Sequence, residues 1–237
     1  MCSYLWANAD KSEDKKAYLE IRSWYNESKN EPLTFFPKNE SEPWRERTIL
    51  QIILIRHGNP EINKNGWFSY KAARNYIIAY DTVGVRSFSI PPVILEPNEN
   101  VKIFSSSLNR AYDTALKIFT DDSTIIVDST FIEFQREITP LPLILPIKGW
   151  TGISRFFWMI GLHSSYIPSF RSEKSRAERD AVFLQKAAME NKKIILVAHG
   201  FLNKYIARYL KNMGWDHSYN SGSDYLDVQV MTKIEYN

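Results

Sequence analysis

Short runs of branched apolar residues alternate along this chain with longer segments whose apolar residues recur at helical spacing. Uninterrupted runs of Ile, Val and Leu are typical of strands that are buried on both faces of a parallel sheet. They predict strands at residues 48–55, 102–105, 124–127, 193–198 and about 225–234. The segments between the runs predict helices at about 68–81, 108–119, 173–190 and 201–212.

This alternation of strand and helix predicts the fold class. Each helix must bury an apolar stripe, as Ala177, Ala181, Leu184 and Ala188 do in the segment 173–190. A sheet whose strands are apolar on both sides needs such helices on both of its faces. We therefore predict an α/β fold, a three-layer sandwich with a mostly parallel central sheet flanked by helices on both faces.

Residues 1–46 differ from the rest in carrying many charges of both signs and several prolines. A helix is predicted at residues 12–28, because Asp10 and Glu13 have the spacing of a capping box. We therefore divide the chain into a helical N-terminal appendage, residues 1–46, and an α/β domain, residues 47–237. The appendage is expected to pack against the domain, with a regulatory module as the alternative.

Residues 139–170 interrupt the alternation after the third strand. Prolines come first, and an aromatic-rich segment at residues 150–158 follows. This insertion either folds over the edge of the sheet as a lid or packs against the sheet. Docking of Phe156, Phe157 and Trp158 on a membrane surface is a third alternative.

Composition narrows the class of protein. The chain has 44 % apolar residues and a single cysteine, so its core is expected to form without disulfides. Its net charge of +3 is spread out, and no basic run or motif indicates nucleic-acid binding. No apolar segment approaches the roughly 20 residues that span a bilayer, and the first residues lack the pattern of a signal peptide. We expect a cytoplasmic protein without stable membrane insertion.

Several predicted strands end in residues that suit phosphate chemistry. His57 follows the first strand, His199 follows the strand at 193–198, and Arg110 opens the helix after the strand at 102–105. The carboxyl ends of parallel strands meet at one edge of the sheet, and ligands bind there. The sequence therefore predicts a phosphate site at this edge.

Each of these residues has a chemical reason to be there. A neutral imidazole, here that of His57, can attack phosphorus. The planar guanidiniums of Arg56 and Arg110 match phosphate oxygens, and Arg110 also lies at a helix N-terminus that favours anions. Asn63 and His199 can donate to further oxygens, so no metal or organic cofactor is expected.

Such a site also needs a proton donor for the leaving oxygen. Glu133 follows the third strand by a few residues, which places it at the same edge of the sheet. In a partly desolvated position a glutamic acid can donate a proton near neutral pH. Glu137 is the alternative donor, and Glu61 in the first loop is a weaker one.

These residues stand in three motifs that together resemble the histidine phosphatase superfamily, which has the phosphoglycerate-mutase-like fold. The resemblance covers about residues 47–237. The motifs are Leu54-Ile55-Arg56-His57-Gly58 with Asn63, Ser105-Ser106-Ser107-Leu108-Asn109-Arg110-Ala111, and Val197-Ala198-His199-Gly200.

The resemblance implies a role for each residue. His57 looks like the nucleophile that becomes phosphohistidine, and Glu133 looks like the proton donor. Arg56, Arg110 and His199 look like both catalytic and phosphate-binding groups, and the same resemblance makes Asn63 a phosphate-binding residue. The implied activity is hydrolysis of a phosphomonoester without a metal, with a phosphorylated small molecule or a phosphoprotein as substrate.

Two departures from the family pattern keep alternatives open. Glu133 is followed by Phe134 and Gln135, where the family often has a glycine-rich stretch with Trp-Glu-Gly. The chain also lacks the long basic insertion with which mutases hold a bisphosphate, so hydrolysis is favoured over a phosphoglycerate-mutase-type phosphotransferase. A catalytically inactive module that binds a phosphorylated ligand or a protein is the other alternative.

Three further residues are not assigned to the site. His163 and His217 have no motif around them and are expected to be satisfied or exposed surface histidines. Tyr225 is expected to be a core tyrosine at the start of the last strand, with a contact to the pocket as the alternative. No pair of histidines has the spacing of metal ligands on one element, so no metal site is predicted.

Overall fold

The computed structural model describes residues 47–89, 101–119 and 124–236 of the chain. The predicted helix at residues 12–28 lies outside the described residues, as does the rest of the appendage. The strands are β1 Arg47–Arg56, β2 Phe68–Ser69, β3 Lys102–Ser106, β4 Ile125–Asp128, β5 Ile144–Leu145, β6 Lys193–Ala198, β7 Asp216–Asn220 and β8 Val228–Tyr236. The helices are α1 Tyr70–Thr82, α2 Asn109–Phe119, α3 Ile147–Met159, α4 Phe170–Asn191 and α5 Gly200–Asn212.

A six-stranded sheet in the order β4–β3–β6–β1–β8–β7 forms the centre of the fold. The neighbours β4, β3, β6 and β1 run parallel, whereas β7 and β8 are antiparallel. Arg56 pairs with Ala198 and Ser105 pairs with Val197, so β1, β6 and β3 end at the same edge. The residues that follow these strands are therefore brought side by side, which is the placement that the phosphate site requires.

Alternate residues of the parallel strands face two different helix layers. Leu50, Ile52 and Leu54 of β1 pack in one buried cluster with residues of α4 and α5. Ile53 and Ile55 pack in a second cluster with residues of α2 on the other face. The predicted α/β sandwich, with helices on both faces of a mostly parallel sheet, is confirmed.

The insertion at residues 139–170 contains a helix, α3, that the sequence pattern did not predict. Two glycines within α3 and Pro146 just before it hide its helical spacing. Trp150 and Trp158 lie on its buried side, and their indole N–H groups donate to the carbonyl oxygens of Phe68 and Pro168 at 2.7 and 2.9 Å. The buried side of α3 therefore packs into the fold, and packing of the insertion was one of the alternatives that the sequence left open.

The structure also adds elements outside the predicted pattern. β2 and β5 form a separate antiparallel pair, and β7 adds an antiparallel edge to the main sheet. β7 is alternately exposed and half-buried and contains polar residues, so it lacks the apolar run that identifies the central strands. None of the helices within residues 47–89, 101–119 and 124–236 is long and apolar enough to cross a bilayer.

Candidate active site

His57 lies directly after β1, with only 3 % of its surface exposed. Its Nδ1 lies 2.8 Å from the carbonyl oxygen of Gly58. Because a carbonyl oxygen only accepts hydrogen bonds, Nδ1 carries the proton and Nε2 keeps its lone pair. Burial, and then the nearby guanidiniums of Arg110 and Arg56, lower the pKa of His57 well below its usual value of 6.5. The ring is therefore neutral at neutral pH, and its Nε2 is suited to act as a nucleophile.

His199 lies directly after β6, at the N-cap position of α5, and is fully buried. Its ring centroid is 5.1 Å from that of His57, with 60° between the ring planes. Its Nε2 lies 2.8 Å from the Oγ of Ser106, and its buried Nδ1 has no partner among the described residues. Burial, and then His57 and Arg110, lower the pKa of His199 well below 6.5. Two neutral imidazoles thus lie in contact at the edge of the sheet.

Arg56 runs from the end of β1 between Gly200 and Tyr225. Its guanidinium donates to the carbonyl oxygen of Ser223, and its Cζ lies 4.6 Å from the centre of the Tyr225 ring. A Cβ atom on Gly200 would lie 3.0 Å from Arg56 Nε, so any larger residue there would push the arginine side chain aside. The Nε of Arg56 is buried and has no partner among the described residues, which leaves a donor for an anion.

Arg110 occupies the first turn of α2 with only 1 % of its surface exposed. Its Nη1 donates to the carbonyl oxygen of Tyr80 at 3.3 Å and to Asp81 Oδ1 at 3.0 Å. Its Cζ also lies 4.8 Å from the centre of the Tyr80 ring. Burial lowers the pKa of Arg110, but an arginine keeps its charge in proteins. A fixed positive charge is therefore buried beside His57.

Glu133 lies at the N-terminus of α5. Its carboxylate accepts hydrogen bonds from the backbone N–H groups of Phe134, Leu202 and Phe201 at 3.0, 3.1 and 3.3 Å. Arg155 Nη2 lies 4.0 Å from Glu133 Oε2. These N–H donors and the guanidinium hold the carboxylate at the positive end of α5.

The alternative acids and Asn63 lie elsewhere. The carboxylate of Glu137 accepts hydrogen bonds from the N–H and hydroxyl groups of Ser164, and Glu61 lines a separate, open depression. Asn63 is exposed, and its Oδ1 accepts a hydrogen bond from the N–H of Asn65 at 3.0 Å. Asn63 is not among the residues that line the cavity, so its role in binding phosphate stays a prediction.

The predicted residues surround one cavity of about 840 Å³. Arg56, His57, Arg110 and Glu133 form part of its wall, and His199 lies behind His57. Sequence reasoning missed several wall residues that other elements contribute. They are Tyr80, Arg136, Arg155, Lys204, Arg208 and Asp227.

Two of the missed arginines line the cavity together with His57 and Glu133. Arg136 lies 3.7 Å from Asp81 Oδ1, and its Cζ is 4.7 Å from the centre of the Tyr80 ring. Arg155 comes from α3 and lies over Phe201, with its Cζ 4.2 Å from the ring centre. The signal for Arg155 in the sequence was its place as a basic residue within the predicted insertion. The insertion thus contributes to the cavity as well as to the core.

The structure corrects two expectations about residues that were not assigned to the site. Tyr225 is half-buried in the loop between β7 and β8, and its ring centroid is 5.7 Å from that of His57. It is therefore a cavity-side residue and not a core tyrosine. His217 on β7 lines the cavity, and its buried Nε2 has no partner among the described residues. Its contact with the cavity arises from the unpredicted strand β7.

No three residues of the types His, Cys, Asp and Glu come together as metal ligands within residues 47–89, 101–119 and 124–236. The positive charges of the cavity come instead from side chains. The guanidiniums of Arg56, Arg110, Arg136 and Arg155 line the same cavity as His57 and Glu133. Such a site favours an anion with several oxygen atoms, since each guanidinium offers donors in a plane.

Comparison with known proteins gives similarity at the level of structure. No family model and no curated protein sequence matches the chain. The mycobacterial glucosyl-3-phosphoglycerate phosphatase is 18 % identical, with a TM-score of 0.41 over 68 % of this chain and 79 % of that one. A phosphoserine phosphatase mutant of Entamoeba histolytica in complex with phosphoserine is 17 % identical, with a TM-score of 0.44 over 79 % of this chain and 96 % of that one.

A third structure is the ecdysone phosphate phosphatase of Bombix mori in complex with tungstate. It is 12 % identical, with a TM-score of 0.43 over 79 % of this chain and 92 % of that one. These solved structures belong to the histidine phosphatase superfamily, which the three strand-end motifs resemble. At this level of similarity a function does not transfer between proteins, so the functional inference rests on the residues of the site.

Proposed function

We propose that the protein is a metal-independent phosphomonoester hydrolase that works through a phosphohistidine at His57. The observation that carries the proposal is the hydrogen bond from His57 Nδ1–H to Gly58, which leaves Nε2 unprotonated in a cavity rich in arginine. A neutral imidazole held in one tautomer is the form that attacks phosphorus. The surrounding guanidiniums favour a phosphoryl dianion.

In the first step His57 Nε2 attacks the phosphorus atom, and the bond from phosphorus to the ester oxygen breaks. The leaving oxygen takes a proton from Glu133, which acts in its protonated form at the N-terminus of α5. The phosphoryl group then resides on Nε2, and its charge is compensated by Arg56 and Arg110. Donors that are fixed in place before the reaction contribute on the order of a few kcal/mol each to such a step.

In the second step a water molecule attacks the phosphohistidine. Glu133 accepts a proton from that water, the bond between nitrogen and phosphorus breaks, and orthophosphate leaves. His57 recovers its lone pair on Nε2, and Nδ1 keeps its proton because the bond to Gly58 persists. His199 contributes a second neutral ring. One of its two ring nitrogens carries a proton and can donate a hydrogen bond to the transferring group.

A second candidate function is a binding module that holds a phosphorylated ligand without turnover. The observation that favours it is the engagement of both Glu133 oxygens by backbone N–H groups and Arg155. These contacts hold the carboxylate against the N-terminus of α5, and without an acid at the leaving oxygen the departure of a poor leaving group is slow. The two functions share the anion site and differ in whether Glu133 gives a proton to the leaving group.

The test is release of phosphate from an aryl phosphate in the presence of a metal chelator. We expect turnover by the wild-type protein and a loss on the order of 10³-fold or more in His57→Ala. Acid-labile label on the protein after rapid quenching would identify the phosphohistidine, and it should be absent from His57→Ala. Binding of vanadate by the wild-type protein without turnover of any phosphomonoester would instead support the binding module.

A further inference from the structure

The cavity does not end at the catalytic residues but continues along one face of α5. Its wall includes Gly200, Lys204, Arg208 and Lys211, which recur at helical spacing and therefore share that face. Strands β7 and β8 form the opposite wall. The residues that they contribute are His217, Asn220 and Gln229.

The length of this groove follows from the helix. Gly200 packs against Arg56 at the catalytic end. With a rise of about 1.5 Å per residue, Lys204 lies about 6 Å along the helix axis from Gly200, and Lys211 lies about 16 Å along it. The groove therefore extends well beyond the space that one phosphoryl group needs.

The charges in the groove exceed what one phosphoryl group requires. At the catalytic end Arg110 and Arg136 lie close to Asp81, Arg155 lies close to Glu133, and Arg56 lines the same wall. The four guanidiniums exceed the two carboxylates by two positive charges when Glu133 is ionised, which matches a phosphoryl dianion. Beyond this end the groove is lined by three further cations, Lys204, Arg208 and Lys211.

Lys204, Arg208 and Lys211 have no carboxylate within 4.0 Å among the described residues. The acidic residue on the opposite wall is Asp227, which is buried and bonded to the hydroxyl group of Ser221. Burial also raises the pKa of Asp227, which weakens it as a counter-ion. His217 adds a buried, unpartnered Nε2 to the same wall.

From this arrangement we propose that the groove binds a second anionic group of the substrate, a phosphate or a carboxylate, about 6 to 16 Å along the axis of α5 from Gly200 and beyond the phosphoryl group at His57. The inference rests on the proposed function, and it defines the substrate class as a small phosphomonoester with a second anionic group. Lys204 and Arg208 bind that group, and Lys211 extends the site for longer molecules. The second group selects the substrate, because the catalytic end binds only the phosphoryl group that all phosphomonoesters share.

The test uses two series of synthetic alkyl phosphates with linkers of about 6, 12 and 16 Å. In one series the far end carries a phosphonate, which cannot be hydrolysed, and in the other it carries a methyl group. The measured quantity is the ratio of kcat/KM between the two compounds of each length. We expect the wild-type protein to prefer the phosphonate compound by about tenfold at one or more lengths, as charge-assisted hydrogen bonds allow.

The ratio should fall toward one in the double variant Lys204→Ala/Arg208→Ala and decrease as salt is added. Lys186→Ala is the matched control, since Lys186 is an exposed lysine on α4 outside the cavity, and the ratio should persist there. Equal rates for the two wild-type series would overturn the inference and leave the proposed hydrolase intact. A ratio that survives in the double variant would also overturn it.

Binding separates this inference from the proposed function. Calorimetry on His57→Ala, with its fold checked by circular dichroism, measures the affinity for both probes without turnover. Tighter binding of the phosphonate probe should be seen in His57→Ala and lost when Lys204→Ala and Arg208→Ala are added. This result supports the groove as an anion site even if the wild-type protein hydrolyses nothing. Equal affinities for the two probes overturn the inference in either case.

Discussion

The imidazole rings of His57 and His199 lie with their centroids 5.1 Å apart, at the ends of the paired strands β1 and β6. Both rings are buried, and burial, together with the nearby His57, lowers the pKa of His199. The hydrogen bond of His57 to Gly58 fixes the tautomer of the first ring, and Ser106 contacts the second. The arrangement keeps Nε2 of His57 unprotonated, and several of the expected outcomes below depend on this.

The first prediction concerns the pH dependence of activity. Burial and the neighbouring Arg110 lower the pKa of His57 well below 6.5, so the nucleophile remains neutral in mildly acidic solution. We expect the acid limb of kcat/KM to fall well below pH 6.5 in the wild-type protein. Arg110→Met removes one positive charge, so it should shift that limb to higher pH and also lower kcat/KM at every pH. An acid limb at the ordinary histidine pKa in the wild-type protein would contradict this assignment.

The second prediction concerns the pH dependence of stability. The folded-state pKa of His199 lies below its unfolded value of 6.5, so below that pH the unfolded chain binds the proton that the folded protein refuses. His199 therefore lowers the free energy of unfolding as the pH falls below 6.5, by up to about 1.4 kcal/mol per pH unit. Replacing His199 by Gln should remove this part of the slope.

The measurement is urea unfolding of the wild-type protein and His199→Gln between neutral pH and about pH 5. Asp180 acts in the opposite direction, because burial raises its pKa to about 7 and the folded protein then holds the proton. Since Asp180 is present in both proteins, its effect cancels in the difference between the two slopes. Equal slopes would show that His199 is protonated in the folded protein.

The third prediction concerns the close approach of Gly200 to Arg56. Because a Cβ atom would come within 3.0 Å of Arg56 Nε, Gly200→Ala should displace the guanidinium from the cavity wall. We expect kcat/KM to fall roughly tenfold, about the effect of one lost charge-assisted hydrogen bond. Gly152→Ala is the control, since nothing lies within 4 Å of the added atom in α3, and it should raise the free energy of unfolding by about 0.5–1 kcal/mol. Unchanged activity in Gly200→Ala would separate Arg56 from catalysis.

The fourth prediction concerns Glu133 as an acid and as a helix cap. Glu133→Gln removes a charge that accepts N–H groups at the N-terminus of α5, so the free energy of unfolding should fall by about 1 kcal/mol. If Glu133 donates the proton, turnover should fall much more for alkyl phosphates than for nitrophenyl phosphate, whose leaving group needs no proton. The comparison of the two substrates therefore distinguishes catalysis from stability.

Glu137→Gln is the matched control for this experiment. Glu137 bonds to Ser164 and lies outside the cavity wall, so its replacement should affect both substrates equally. A larger loss for alkyl phosphates in Glu137→Gln than in Glu133→Gln would assign the acid to Glu137 instead. Unchanged turnover of both substrates in Glu133→Gln would restrict Glu133 to the structural role.

The fifth prediction concerns the insertion. Arg155 extends from α3 to the cavity, where it lies 4.0 Å from Glu133 and over Phe201. Arg155→Met keeps most of the apolar contact and removes the charge, so we expect kcat/KM to fall several-fold with little change in the melting temperature. Arg171→Met, on the exposed first turn of α4, is the control and should leave both quantities unchanged. A melting temperature that falls sharply in Arg155→Met would give this arginine a structural role.

The central sheet could be predicted because burial on two sides requires unbroken apolar sequence. The strands at β1, β3 and β6 appear within a residue or two of their predicted positions. The helix α3 could not be predicted in the same way, since glycines and a preceding proline mask its pattern and its tryptophans are buried by distant residues such as Phe68. The edge strand β7 could not be predicted either, because it is polar and alternately exposed and therefore carries no apolar run.

The sequence by itself determined which residues stand at the carboxyl ends of the parallel strands, because strand ends follow from local hydrophobic patterns. His57, His199 and Arg110 could be named in this way, together with the edge of the sheet where they meet. Only the tertiary structure decided that Arg136 and Arg155 join them and that a cationic groove continues along α5. These facts depend on contacts between segments that are distant in the chain, and no local pattern of polar and apolar residues encodes them.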